Sequence, residues 1–131
     1  MRSARPVDDA SPEAAVAVIR LYYAHLAARD LRGAYRLWGD NGRASGKLLG
    51  AFSRGFRDTV STTVTIGRPH DPEGAAGSSY IEIPVTVRAR LRDGRRQCFT
   101  GSYVLRRAND VPGSSLADRR WHISQAHLKA R

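Results

Sequence analysis

SSYIEIPVTVRARLRDGRRQCFTGSYVLRR, residues 78–107, decides how this chain folds. Ile81, Ile83, Val85, Val87, Ala89 and Leu91 alternate with Tyr80, Glu82, Pro84, Thr86, Arg88 and Arg90. Successive side chains of a strand point to opposite faces, so this alternation makes a strand with one buried and one wet face. Such a strand belongs to an antiparallel sheet. Asp93-Gly94 supplies a residue that tolerates a positive φ, and the chain turns back there as a hairpin. Two registers are open. A two-residue turn pairs Leu91 with Arg96 and Ile83 with Val104, which puts Phe99, Tyr103 and Leu105 on the polar face. A three-residue turn with Gly94 left-handed pairs Val87 with Phe99, Ile83 with Tyr103 and Ile81 with Leu105. A slip of one residue flips every side chain, and the amphipathic pattern favours the three-residue turn. Gly101 then marks a bend or a close approach in mid-strand, and Pro84, which cannot donate to a ladder, suggests an edge or a bulge.

Upstream of the hairpin the period becomes helical. Ser11-Pro12-Glu13 reads as N-cap, first-turn proline and an acid at the positive end of the helix dipole. That helix runs to about Arg29 with Val16, Ile19, Tyr23 and Leu26 as its buried stripe, flanked by Tyr22 and His25. Asp30 caps a short helix over residues 31–38, with Ala34, Leu37 and Trp38 apolar and Tyr35 beside them. Gly39-Asp40-Asn41-Gly42 is turn chemistry. Ser45 is placed to cap a third helix with a stripe of Leu48, Leu49, Phe52 and Phe56. Residues 59–66 read as a strand with Val60, Thr62, Val64 and Ile66 on its apolar side. Residues 67–77 and 108–118 read as loops. The last strand spans residues 119–128. Trp121 and Ile123 face inward, Ala126 and Leu128 have the opposite phase, and a bulge is expected near Ser124 or Gln125.

The chain has 131 residues, enough for one domain with its own core, and its hydrophobic content of 41% is that of an ordinary globular protein. Residues 1–10 are polar and read as a flexible lead, with residues 11–131 as a single domain. The net charge is +10, and its only lysines are Lys47 and Lys129. Arginines spread along the whole chain read as solvated surface; an anionic partner is the functional alternative. Cys98 is the sole cysteine, so no internal disulfide exists. No apolar run is long enough to span a membrane, and the N-terminus does not read as a signal peptide.

Three helices followed by four strands is an α+β order. Within it YYAHLAARDLRGAYRLW, then LLGAF, then the long hairpin, then RWHISQAHL resembles the nuclear transport factor 2-like superfamily, with its ketosteroid isomerase-like and polyketide cyclase-like domains. The resemblance spans about residues 12–128. It implies a cystatin-like cone: N-terminal helices packed on a strongly curved antiparallel sheet of about four strands, often with a pocket at the open end. It implies fold far more than activity. The chain also resembles small exported bacterial proteins of this superfamily, in which a domain follows a leader and a polar linker. That resemblance implies a periplasmic or envelope location rather than a cytoplasmic one.

An isomerase-type site needs a carboxylate base in an apolar cavity and donors for an oxyanion. The resemblance lets Tyr23 serve as a donor. Asp40 and Asp58 are the candidate bases, but Asp40 lies in a turn, Asp58 precedes a strand, and the inward face of the hairpin carries no carboxylate; Glu82 points outward among arginines. No catalytic residue is therefore assigned. A ligand pocket is the stronger expectation: Tyr23, Tyr35, Trp38, Phe52, Phe56, Tyr103 and Trp121 can converge between helices and sheet, either as an aromatic cavity for a small apolar molecule or simply as core. Arg88, Arg90, Arg96 and Arg106 form a basic outer face able to meet an anion or a protein. Nucleic acid is not the partner that face predicts, because only Tyr80 shares it for stacking. His25, His70, His122, His127 and Cys98 lack metal-ligand spacing, no phosphate loop or nucleophile elbow is present, and no metal or cofactor is implied.

The sequence thus predicts a non-enzymatic binding or protein-interaction module of a bacterial envelope or cytoplasmic protein. The alternatives are a small-molecule isomerase or cyclase using an apolar pocket, and a polyanion-binding domain using the arginine face. Relatives in the superfamily often pair through the outer sheet face. Four arginines there would repel a copy of themselves, so a monomer or weak homodimer is expected.

Overall fold

The computed structural model describes residues 10–109 and 112–131. Apart from Ala10, the flexible lead expected over residues 1–10 lies outside the described residues, as do two residues of the loop expected over 108–118. In chain order the elements are α1 (Pro12–Ala27), α2 (Leu31–Arg36), a 3-10 turn (Asp40–Ser45), α3 (Leu49–Arg54), β1 (Thr59–Ile66), β2 (Glu73–Ala75), β3 (Ser78–Leu91), β4 (Arg96–Ala108) and β5 (His122–Ala130). The strands form one antiparallel sheet in the order β1-β3-β4-β5, with β2 also paired to β3. The helices cover its apolar face. This is the α+β class that the order of elements predicts, in the cone-like arrangement that the resemblance implies.

The hairpin adopts the three-residue turn. Ile81 pairs with Leu105, Ile83 with Tyr103 and Val87 with Phe99, and the Leu91 N–H donates to the Arg95 carbonyl at 2.9 Å. Gly94 has φ 88°, the left-handed conformation the turn requires. Ile81, Ile83, Val85, Val87, Tyr103 and Leu105 are all buried, so burial selected the register.

The expected bulge in β5 is also present. Val104 pairs with Gln125 but Leu105 pairs with Ile123, which leaves Ser124 as the extra residue. Gly101 is a close approach: a Cβ built there would stand 1.8 Å from the His127 carbonyl oxygen. Pro84 differs from expectation. It lies in the interior strand β3 rather than at an edge or bulge. Leu91 N–H points to β4 and Arg92 N–H to the Asp58 carbonyl, so even-numbered residues of β3 face β1. The β1 ladder ends at Ile66–Val85, just where the missing Pro84 N–H would have been used.

Three other expectations fail for local reasons. The stretch 67–77 contains β2, too short and glycine-rich to show a period. Val60 is exposed because β1 bulges between Thr59 and Ser61. Ser45 does not cap the third helix; Leu48 holds that position without a side-chain cap, and Ser45 Oγ accepts from Lys47 N–H at 3.3 Å instead. The other two caps stand as read. Ser11 Oγ accepts from Ala14 N–H at 3.1 Å, and an Asp30 oxygen accepts from Gly33 N–H at 2.9 Å.

At one end of the cone Ile19, Ile81, Ile83, Leu105 and Ile123 are fully buried and fill the space. β5 is stitched to the helical layer at that end. Ile123 N–H donates to Leu37 O at 2.8 Å, Gly39 N–H donates to Ile123 O at 2.9 Å, and Trp121 Nε1–H donates to Ser11 O at 3.1 Å.

Candidate ligand cavity

The other end of the cone is hollow. A cavity of about 430 Å³ opens there between the C-terminal half of α1, α3, and the hairpin where it nears its turn. The volume lies within the range of small-molecule sites. Two turns of α1 bring Tyr22, Tyr23 and Leu26 to its wall, and α2 leads into Trp38. Phe52 and Phe56 come from α3 and the turn after it. β3 contributes Val87 and Ala89, β4 contributes Phe99 and Tyr103, and β5 contributes Leu128. The inner part is buried, while Lys47, Gln97 and Ala126 are exposed at its rim.

Of the seven aromatic residues expected to converge, the cavity gathers Tyr23, Trp38, Phe52, Phe56 and Tyr103. It leaves out two. Tyr35 is buried behind Phe52, at 5.2 Å between ring centroids, with its hydroxyl donating to Lys47 O at 2.7 Å. Trp121 seals the filled end of the cone. Tyr22 was read only as a flank of its helix, yet it is buried and stands at the centre of the aromatic cluster. Its ring meets Tyr23, Trp38, Phe52 and Tyr103 at centroid distances of 5.2, 6.4, 6.5 and 6.2 Å, mostly edge to face. The signal was present: positions 15, 19, 22 and 26 repeat at helical spacing, and Ala15, Ile19, Tyr22 and Leu26 are all buried.

The polar atoms of the cavity are few. The hydroxyls of Tyr23 and Tyr103 share a hydrogen bond of 2.7 Å. Burial pushes both, and the Tyr22 hydroxyl, well above the usual tyrosine range. For Tyr103 the neighbouring Tyr23 adds to the effect, and for Tyr22 the neighbouring Tyr103 does. All three remain neutral phenols at any physiological pH. Trp38 Nε1 lies on the Tyr22 side and slightly favours its ionised form, but the two groups do not meet in hydrogen-bond geometry. Trp38 Nε1 and Thr62 Oγ1 are buried with no hydrogen-bond partner among the described residues, and both side chains line the cavity.

Among the described residues no Asp, Glu, His or Cys lines the cavity. Asp40 is exposed and faces a separate polar depression beside Arg36, Arg106 and His122. Asp58 is exposed, and its carbonyl closes the hairpin through Arg92. Glu82 points to the outer face as read, but its partners are Ser102 Oγ at 2.6 Å and His70 Nδ1 at 3.3 Å rather than arginines. Among the described residues no group of three or more His, Cys, Asp or Glu is placed to hold a metal. No helix among them is long and apolar enough to cross a membrane.

The four arginines expected on the outer face separate. Arg88, Arg90 and Arg96 share a shallow groove with Arg131 and Cys98, Arg90 standing directly opposite Arg96. Arg106 lies well along β4, where its Nη2 donates to Ser78 Oγ at 2.8 Å.

Solved structures with the same architecture exist. A conserved protein from Planctomyces limnophilus superposes with a TM-score of 0.58 at 14% identity, over 91% of this chain and 97% of that one. A candidate dehydratase of the nuclear transport factor 2-like family from Streptomyces avermitilis superposes with a TM-score of 0.59 at 13% identity, over 95% of this chain and 99% of that one. These likenesses show the fold. No protein-family model matches the sequence, and no curated protein matches it.

Proposed function

We propose that this nuclear transport factor 2-like fold serves as a binding module, holding a small, largely apolar molecule in the cavity without transforming it. The observation that carries the reading is an open cavity of about 430 Å³ whose walls are aromatic and aliphatic and whose lining, among the described residues, includes no carboxylate, imidazole or thiol. Proton transfer needs a group that exchanges a proton near neutral pH. Among the described residues the ionisable groups of the inner cavity wall are the phenols of Tyr22, Tyr23 and Tyr103, whose ionisation burial pushes further from neutral pH. This supports binding over the isomerase or cyclase alternative. The resemblance to small exported proteins supports an envelope location.

The uncharged fluorophore N-phenyl-1-naphthylamine tests the reading without drawing on the arginines. Its emission is expected to rise on binding the native protein. Ala89→Trp, which fills the cavity wall from β3, is expected to weaken that binding at least tenfold while leaving the circular dichroism unchanged. Equal binding by both proteins, or none by either, would overturn the proposal.

The outer face bears on self-association. Arg88, Arg90 and Arg96 have no acidic partner among the described residues, so two copies meeting there would place like charges face to face. Sedimentation from low to high salt is expected to give a monomer, or association only when salt screens the arginines. A tight dimer at low salt would contradict this.

A further inference from the structure

We infer that the outer face of the sheet holds a short chain of linked phosphates, a di- or triphosphate, in the arginine groove beside the hairpin turn. This goes beyond the cavity reading and does not rest on it. Two rows of side chains cross the groove, which encloses about 460 Å³. Ser61, Arg90 and Arg96 form the first, on β1, β3 and β4. Thr63, Arg88 and Cys98 form the second, extended by Arg131, whose N–H donates to Cys98 O at 2.8 Å. Neighbours within a row stand about 4.8 Å apart and the rows about 7 Å apart, as strand spacing and pleat dictate. Four guanidiniums therefore reach one small volume.

The groove breaks a rule of sheet pairing. Leu91 N–H donates to β4, so Arg90 and Arg96 form the adjacent non-hydrogen-bonded pair, the kind whose side chains come closer. Like charges directly opposite each other destabilise a sheet. Among the described residues no ion pair or side-chain hydrogen bond engages Arg88, Arg90, Arg96 or Arg131, and no acid lines the groove. Other arginines are occupied. Arg29 donates to Thr59 O at 2.7 Å, Arg92 to Arg57 O at 3.0 Å and Arg107 to Arg119 O at 2.7 Å. Proteins break a local rule without local compensation at functional sites.

The partner that relieves these charges is an anion of high charge density. Guanidinium forks take phosphate oxygens in pairs, and the Ser61 and Thr63 hydroxyls add neutral donors at the edge of the groove. An extended acidic peptide presents carboxylates on one face only every 7 Å or about that, too far apart to serve Arg90 and Arg96 together. Single-stranded nucleic acid needs stacking faces, and among the described residues no aromatic side chain lines the groove.

Calorimetric titration of the full chain in magnesium-free buffer compares tripolyphosphate with orthophosphate. Tripolyphosphate is expected to bind at least about tenfold tighter, because it engages more of the charged donors. Arg90→Gln and Arg96→Gln are each expected to weaken it about tenfold. Arg20→Gln removes the same charge from an exposed position on α1, across the sheet, and is expected to change it by less than about twofold. Cys98, the sole cysteine, gives a second readout. Saturating tripolyphosphate is expected to slow its alkylation by neutral iodoacetamide, since the thiol stands opposite Arg88. Equal affinity for the two phosphates, equal weakening by Arg20→Gln and Arg90→Gln, or an unprotected Cys98 would each overturn the inference. So would tighter binding of tetra-aspartate, a thymidine tetranucleotide or phosphatidylglycerol vesicles, which would give the face to a peptide, a nucleic acid or a membrane. None of these results touches the cavity reading, which the binding of N-phenyl-1-naphthylamine decides.

Discussion

Replacing Gly101 by alanine destabilises the fold by on the order of 4 kcal/mol, the upper range for a single substitution. A methyl carbon at this position would stand 1.8 Å from the carbonyl oxygen of His127, 2.8 Å from its carbonyl carbon and 3.0 Å from Leu128 Cα. All three atoms are backbone of β5, so no rotamer change relieves the clash. Either β5 retreats from β4 or β4 abandons its path. Gly101 also holds φ 157°, which a side-chain-bearing residue adopts only under strain. Retreat of β5 would cost the pairing of Gly101 with Leu128 and withdraw Leu128 from the cavity wall. Urea unfolding followed by circular dichroism measures the effect. Gly74→Ala is the control, because no atom lies within 4 Å of its built Cβ and its φ is not positive; it is expected to change stability by less than about 0.5 kcal/mol. A loss below about 1 kcal/mol for Gly101→Ala would refute this account of the β4–β5 contact.

The second large effect is alkaline unfolding. Tyr22, Tyr23 and Tyr103 have hydroxyls whose ionisation in the folded state is pushed far above that of free tyrosine, chiefly by burial. A raised folded-state pKa means the proton is held more tightly in the native state than in the unfolded chain. Stability from this source is fully present below the unfolded value of about 10 and is lost as pH climbs from there toward the folded values. Between the two limits each tyrosine contributes a slope of about 1.4 kcal/mol per pH unit, so the three together give about 4 kcal/mol per pH unit. The slope depends on the direction of the shifts and on the count of groups, and the folded values set only where it ends. Urea midpoints measured from pH 8 to pH 11.5 are expected to stay level to about pH 10 and then collapse. Tyr103→Phe is expected to remove about a third of the slope. Tyrosine absorbance that titrates at the ordinary pH while the protein stays folded would contradict the buried cluster.

Much of this was legible in the chain because burial imposes periods. The hairpin register followed from one coherent apolar face, and the β5 bulge from the change of phase between Ile123 and Ala126. What escaped were features without a period. β2 has three residues and a glycine, and it exists because β3 extends beyond the end of β1. Val60 sits at a bulge that no glycine or proline announces. Pro84 was read as the sign of an edge or a bulge, whereas the hydrogen bond it lacks concerns one side of one residue in an interior strand. For the cavity, aromatic content showed which side chains enter the core but not which end of the cone they occupy. Trp121 and Trp38 read alike as inward aromatics. The structure sends one to the filled end and the other to the hollow end, a distinction set by where β5 joins the helices.

That joint also governs the order of events during synthesis. A ribosome delivers the helices before β5. Trp121 must reach back 110 residues to the Ser11 carbonyl, and Ile123 must return to Leu37 and Gly39. Until then the apolar faces of α1 and α2 belong to a nascent chain that cannot complete its own enclosure. Contacts this distant in sequence form slowly and leave greasy surface waiting for them. The hollow cone is therefore a fold whose closing clasp is made after the helices it closes upon, and a chain halted before Trp121 lacks that clasp.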